Sequence, residues 1–221
     1  MNEFLQLFNI NNTFFTILNY PISYIEFVGT LFNLASVWLV AKKKIINWPI
    51  GIVGVILFGI LFYQINLYAD LIEQGYYLVT SIIGWYLWAH TKKPNDSDAD
   101  IVVERNSHNQ NITWVAGIIV VSLLAGWALR RVHLWLPAIF PEPAALPYLD
   151  AGTTIMSFAA MILMIKRRVE SWVIWILVDI IAIGLYWYKA VPFIALLYLI
   201  FLGIAINGFI SWRDAYKKEQ S

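Results

Sequence analysis

The sequence predicts an all-α polytopic membrane protein, with seven transmembrane helices arranged as a 3+1+3 parallel repeat. Three observations carry that expectation: a strongly apolar composition, seven apolar runs of bilayer length, and a self-match of the chain at an offset of 124 residues. Of 221 residues, 60% are hydrophobic and 13% charged, with a mean hydropathy of +0.67, whereas a soluble domain carries about 25% charged residues. The net charge of +1 gives no reason to expect nucleic acid or an acidic partner. The absence of cysteine excludes disulfides, thiolate metal ligands and cysteine nucleophiles.

The opening stretch, MNEFLQLFNINNTFFTILNY, lacks a basic leader and a small-residue cleavage site. Residues 1–22 are therefore expected to form an interfacial segment, helical at the membrane surface, rather than a signal peptide. A bilayer core of about 30 Å takes about 20 helical residues. Apolar runs suited to it lie near 23–41, 48–65, 72–90, 112–130, 149–165, 172–189 and 193–212. They divide into a first three-helix unit (23–91), a linker carrying the fourth span (92–148), a second three-helix unit (149–216) and a short cytoplasmic tail (217–221). Polar TKKPNDSDADIVVERNSHNQN precedes the fourth span, and proline-bearing LPAIFPEPAALPY follows it.

Lys and Arg in the short loops set the orientation. With the N-terminus outside, the inner side receives Lys42, Lys43, Lys44, Lys92, Lys93, Arg105, Lys166, Arg167, Arg168, Arg213, Lys217 and Lys218. Only Arg130, Arg131 and Lys189 stay outside. An odd number of spans is required to keep the basic clusters together, which places the C-terminus in the cytoplasm.

At the 124-residue offset, Thr30 meets Thr154, Lys42 meets Lys166, Trp48 meets Trp172, Gly84 meets Gly208 and Trp88 meets Trp212. Two units of three helices share an orientation only if one extra helix returns the chain between them, and the fourth span does so. Parallel repeats of this kind place a substrate path between the units, near the midplane. The positions that break the match are Asp179 against Val55, Trp175 against Gly51 and Asn207 against Ile83. At about 100° per residue, Trp172 and Asp179 lie within about 20° of one another and Trp175 about 60° aside, so all three share a helix face. Two indoles can stack on a flat ring, more strongly on a cationic one, and a carboxylate can accept hydrogen bonds or offset a positive charge. The face suits a small, planar, partly polar vitamin. The alternatives are an interfacial anchor for Trp172 and an interhelical hydrogen-bond acceptor for Asp179.

At these residues the chain resembles the PnuC family of bacterial vitamin transporters, whose sixth helix carries W-x-x-W-x-x-x-N/D, here WVIWILVD. IEFVGT, LFYQINLYAD, GWYLW and ING before Trp212 resemble the same family, over about residues 20–215. The resemblance implies a SWEET-like fold, a homotrimer in the bacterial inner membrane, and facilitated diffusion of nicotinamide riboside with trapping by cytoplasmic phosphorylation. Relatives that take thiamine or riboflavin supply the alternative. It also implies substrate contacts from Trp172, Trp175, Asp179, Gln74 and Asn207, with Tyr77 and Ser81 beside them, and no cofactor. Asp179 departs from the Asn of many nicotinamide riboside members, and Ser81 stands where relatives can have Asn.

Two other classes of function fit less well. An enzyme needs a nucleophile, metal ligands or an acid–base pair, yet His90, His108 and His133 lie scattered near span ends and a linker. A proton-coupled symporter could use Asp179 as its carrier, but a relay normally needs several buried ionisable groups. Glu26, Glu73 and Asp150 fall at span ends.

Overall fold

A computed structural model of the protein describes residues 7–17, 20–91, 99–137, 139–140, 142–188 and 192–220. Lys92, Lys93 and Lys189, which entered the orientation argument, and residues 1–6 of the N-terminal segment lie outside them. Among the described residues the chain forms a hairpin, β1 (Thr13–Ile17) and β2 (Tyr20–Ser23), followed by seven helices. The helices are α1 (Tyr24–Ala41), α2 (Asn47–Gln64), α3 (Tyr68–Ala89), α4 (His108–Trp135), α5 (Pro147–Ile165), α6 (Glu170–Tyr188) and α7 (Pro192–Gln220).

The hairpin corrects the expected interfacial helix. TFFTI is rich in β-branched and aromatic residues, which fit a pleated surface, and Pro21 removes a donor that a helix would need. β1 and β2 pair antiparallel, and Ser23 at their end caps α1 by accepting from the Glu26 amide at 3.3 Å.

Six of the seven helices are long and apolar enough to cross a membrane. The exception, α3, has 22 residues, enough for about 33 Å at 1.5 Å per residue. Glu73 and Gln74 in its outer turns, with several Tyr and Trp, lower its hydropathy below that of the others. It nevertheless packs between α2 and α5, with Tyr76 stacked on Phe158 at 4.0 Å and donating to the Phe158 carbonyl at 2.9 Å.

Helix packing runs α1 on α2, α2 on α3, α3 on α5, α5 on α6, α6 on α7 and α7 on α1, so six helices close a ring. α4 packs on α5 and keeps most of its apolar surface exposed. The turns leaving α1 and α5 have the same construction. Lys43 and Arg167, 124 residues apart, both adopt left-handed backbone with φ of 59° and 58°, and the three amides of each turn reach back to equivalent carbonyls. Lys42, Lys43, Lys44, Lys166, Arg167 and Arg168 thereby share one end of the bundle, and Arg130 and Arg131 fall at the far end of α4.

The polar linker before α4 contributes to the core. Ile101 (1% exposed) and Val103 (3%) enter the main core, with Val102 less buried between them. Alternation of that kind follows from extended backbone, whose side chains point to opposite sides in turn.

Candidate functional site

Seven residues are nearly two helical turns, so positions seven apart stay on one stripe and climb about 10.5 Å. Four such stripes are buried or half-buried along their length: Trp48 and Val55 on α2; Trp88, Ser81 and Gln74 on α3; Trp172, Asp179 and Tyr186 on α6; Trp212, Ala205 and Tyr198 on α7. α2 and α6 run away from the basic end and α3 and α7 towards it, so the stripes form three levels.

The level at the basic end is aromatic and closed. Trp48 meets Trp88 edge-on at 5.0 Å, Trp172 meets Trp212 edge-on at 5.6 Å, and Trp88 and Trp212 approach to 6.0 Å. Edge-to-face geometry suits the positive rim and negative face of aromatic rings. The Trp88 indole donates to the Ile165 carbonyl and that of Trp212 to the Val40 carbonyl, each at 3.1 Å, so that α3 is tied to α5 and α7 to α1. The indole N–H groups of Trp48 and Trp172 are buried without a hydrogen-bond partner among the described residues. Glycine makes the layer possible. A Cβ on Gly84 would collide with the Trp48 ring, and one on Gly208 would lie 2.6 Å from Trp172. Gly208→Ala is therefore expected to cost about 1–3 kcal/mol through overpacking. Its melting temperature in detergent should fall, whereas Gly203→Ala, with open space at its Cβ, should leave it unchanged or higher.

The middle level is buried and unsymmetrical. Val55 and Ala205 are apolar, Ser81 is a small hydroxyl, and Asp179 is a carboxylate only 5% exposed. Asp179 forms no hydrogen bond or ion pair among the described residues. α1, α2, α3, α5 and α6 contain no Lys or Arg, and those of α7 begin at Arg213, near the basic end. A buried carboxylate without a counter-charge is costly, so the site favours a cation, a proton or hydrogen-bond donors at this position. The outer level is polar and aromatic: Tyr186 stacks on Tyr198 at 5.5 Å, and the Tyr77 hydroxyl donates to Glu73 at 3.2 Å. Further out, Tyr20 donates to Glu26 at 2.8 Å.

The expected site residues fall into three groups. Asp179, Ser81 and, further out, Gln74 occupy these stripes, with Tyr77 one turn outward of Ser81 on α3. Trp175 is half-buried between the aromatic level and Asp179, packed against the aromatic core. Trp172 shares the α6 stripe but sits at the tryptophan level rather than beside Asp179, and Asn207 lies off the stripes. Trp172 is 1% exposed within the tryptophan layer, and Asn207 is exposed, about 130° around α7 from its buried stripe. Trp48, Trp88, Trp212, Tyr186 and Tyr198 were not singled out as site residues, although the 124-residue match had already paired Trp48 with Trp172 and Trp88 with Trp212.

Residues 23–214 match the family described as nicotinamide mononucleotide transporter. The chain is 32% identical over 217 residues to the nicotinamide riboside transporter PnuC of Escherichia coli (strain K12), covering 91% of this chain and 90% of that one. Against the PnuC of Neisseria mucosa the identity is 27%, with 90% and 75% covered. Against the riboflavin/roseoflavin transporter RibM of Streptomyces davaonensis it is 22%, with 92% and 91% covered. A crystal structure of the vitamin B3 transporter PnuC matches the fold with a TM-score of 0.70 at 25% identity, over 89% of this chain and 83% of that chain.

Proposed function

The chain belongs to the PnuC family of membrane transporters, and from that premise we propose that it carries nicotinamide riboside across the bacterial inner membrane by facilitated diffusion. Phosphorylation in the cytoplasm then traps the substrate. The observation that carries this reading is Asp179, a buried carboxylate with no basic residue facing it among the described residues. Nicotinamide riboside bears a permanent positive charge on a flat ring, with an amide and ribose hydroxyls around it. The ring charge offsets Asp179, Trp175 offers an indole face beside it, and Ser81, Gln74 and Tyr77 supply polar contacts on the outer side. Trp172 and Asn207 join these contacts only in a conformation other than this one. Thiamine is the second reading, because its thiazolium charge and aminopyrimidine edge could also use a carboxylate at Asp179. Riboflavin, uncharged, gains least there.

Uniport is favoured over proton coupling because Asp179 is the one carboxylate at its depth among the described residues, with Glu26, Glu73 and Asp150 towards the helix ends. The two three-helix units act in this proposal as a SWEET-like parallel repeat, α3 included as a span, with α4 as the returning helix. The exposed apolar face of α4 meets lipid or neighbouring copies in the homotrimer that the family resemblance implies. The basic end faces the cytoplasm. A reporter fused after residue 221 should register the cytoplasm and one fused before residue 1 the periplasm; a periplasmic C-terminus would invert the arrangement. Displacement of labelled nicotinamide riboside from purified protein tests the substrate. Unlabelled nicotinamide riboside should compete best, thiamine less and riboflavin least, whereas thiamine as the best competitor would favour the second reading.

A further inference from the structure

In the α3–α4 linker, residues 100–104 run across the basic end of the bundle from one three-helix unit to the other. At one end the Asp100 amide donates to the Lys43 carbonyl at 3.1 Å, and at the other the Glu104 amide donates to the Arg167 carbonyl at 2.9 Å. Lys43 and Arg167 are the equivalent left-handed residues of the two turns, so the strand grips the same point of each unit. Between its ends, Ile101 and Val103 lie on the core that contains the four tryptophans. The strand thus closes the ring where the indoles of Trp88 and Trp212 already tie the units together.

We propose that residues 100–104 latch the cytoplasmic gate of the transport path, and that the gate opens by releasing the Asp100 end while the Glu104 end stays with the second unit. This inference rests on the transport reading and on its orientation. For substrate to leave past the tryptophan layer the units must part, and a strand bridging them must then let go of one. The two grips are unequal. At the Glu104 end the backbone both donates to Arg167 and accepts from the Val169 amide at 3.0 Å, while the carboxylate takes Arg167 and Arg168, each at 2.9 Å. Arg168 also donates to the Arg105 carbonyl at 2.6 Å, and Glu170 accepts from the Asn106 amide at 3.0 Å. Among the described residues, Asp100 itself makes the backbone bond, accepts from the Ile45 amide on its carboxylate at 2.8 Å, and forms a looser pair with Lys44 at 3.8 Å. Charge-assisted bonds to arginine are the stronger kind, and loose exposed pairs contribute little, so the first unit releases first.

The chain has no cysteine, so a single introduced thiol can report on the gate. Ala205 lies behind it, seven residues or about 10.5 Å above Trp212. In oriented vesicles, Ala205→Cys should react slowly with a charged, membrane-impermeant thiol reagent applied from the cytoplasmic side. Adding Asp100→Ala should raise that rate about tenfold, the effect of losing a charge-assisted hydrogen bond, without raising the rate from the periplasmic side. An unchanged cytoplasmic rate, or an equal rise from both sides, would overturn the latch. Should Asp100→Ala fail to fold, Lys44→Glu gives an independent test that keeps Asp100 and its hydrogen bond from the Ile45 amide. Turning the looser pair into a repulsion should raise the cytoplasmic rate of Ala205→Cys and leave the periplasmic rate alone; an unchanged cytoplasmic rate would overturn the proposal. Failure of the transport reading itself is distinguishable, because the unmodified protein would then neither bind nor carry nicotinamide riboside.

Discussion

Replacing Trp175 with Ala is expected to weaken nicotinamide riboside binding by about 1–3 kcal/mol, roughly 5- to 150-fold, by analogy with the loss of one aromatic stacking face on a base. The fold should survive, because Trp175 is half-buried at the edge of the aromatic core rather than inside it. Trp172→Ala should behave differently. Trp172 is enclosed between Gly208 and Trp212, and its removal leaves a cavity worth about 3–5 kcal/mol of stability. Binding isotherms and melting curves measured on both variants separate the roles. Equal losses of stability with unchanged affinity in the protein that remains folded would make Trp175 structural, as Trp172 is.

Asp179→Asn should change which substrates bind while leaving the helix in place. The amide keeps the shape and one acceptor oxygen, but removes the charge that a pyridinium or thiazolium ring would offset. A pair of opposite charges about 4 Å apart at an effective dielectric constant near 20 is worth about 4 kcal/mol before desolvation is set against it. The net effect is therefore a fall in affinity for both cationic vitamins relative to riboflavin, with the burial cost of the unpaired carboxylate in the empty protein removed at the same time. A more stable but weaker-binding Asn variant is the expected combination. An Asn variant that binds all three vitamins as the unmodified protein does would show that Asp179 touches none of them.

The seven-helix layout was legible from apolar run length, and the interior position of Asp179 from its face and from its mismatch with Val55. The role of Trp172 was less so. Helical periodicity puts Trp172 and Asp179 on one stripe, but their separation along the axis, about 10.5 Å, places them at different levels. Which level Trp172 serves depends on Trp88 and Trp212, brought from two other helices by packing that no local pattern encodes. Asn207 illustrates the same limit. Its polarity drew attention, whereas the buried stripe of α7 is set by Ala205, Gly208 and Trp212, the small residues permitting close approach of Trp172. In the linker, the alternating burial of Ile101 and Val103 was hidden by charged neighbours, and in the N-terminal segment the lack of signal-peptide features said nothing about the β-branched and aromatic residues that form the hairpin.

The most direct test of the central claim is uptake of labelled nicotinamide riboside into liposomes containing the purified protein, with and without an imposed proton gradient. With the membrane potential held at zero, as a cationic substrate requires, facilitated diffusion through a site built on Asp179 predicts that internal substrate rises only to the external concentration, at a rate indifferent to the pH gradient, and that Asp179→Asn alters the concentration dependence. Accumulation above the external concentration that follows the gradient and disappears in Asp179→Asn would contradict it, and would make Asp179 a proton carrier instead.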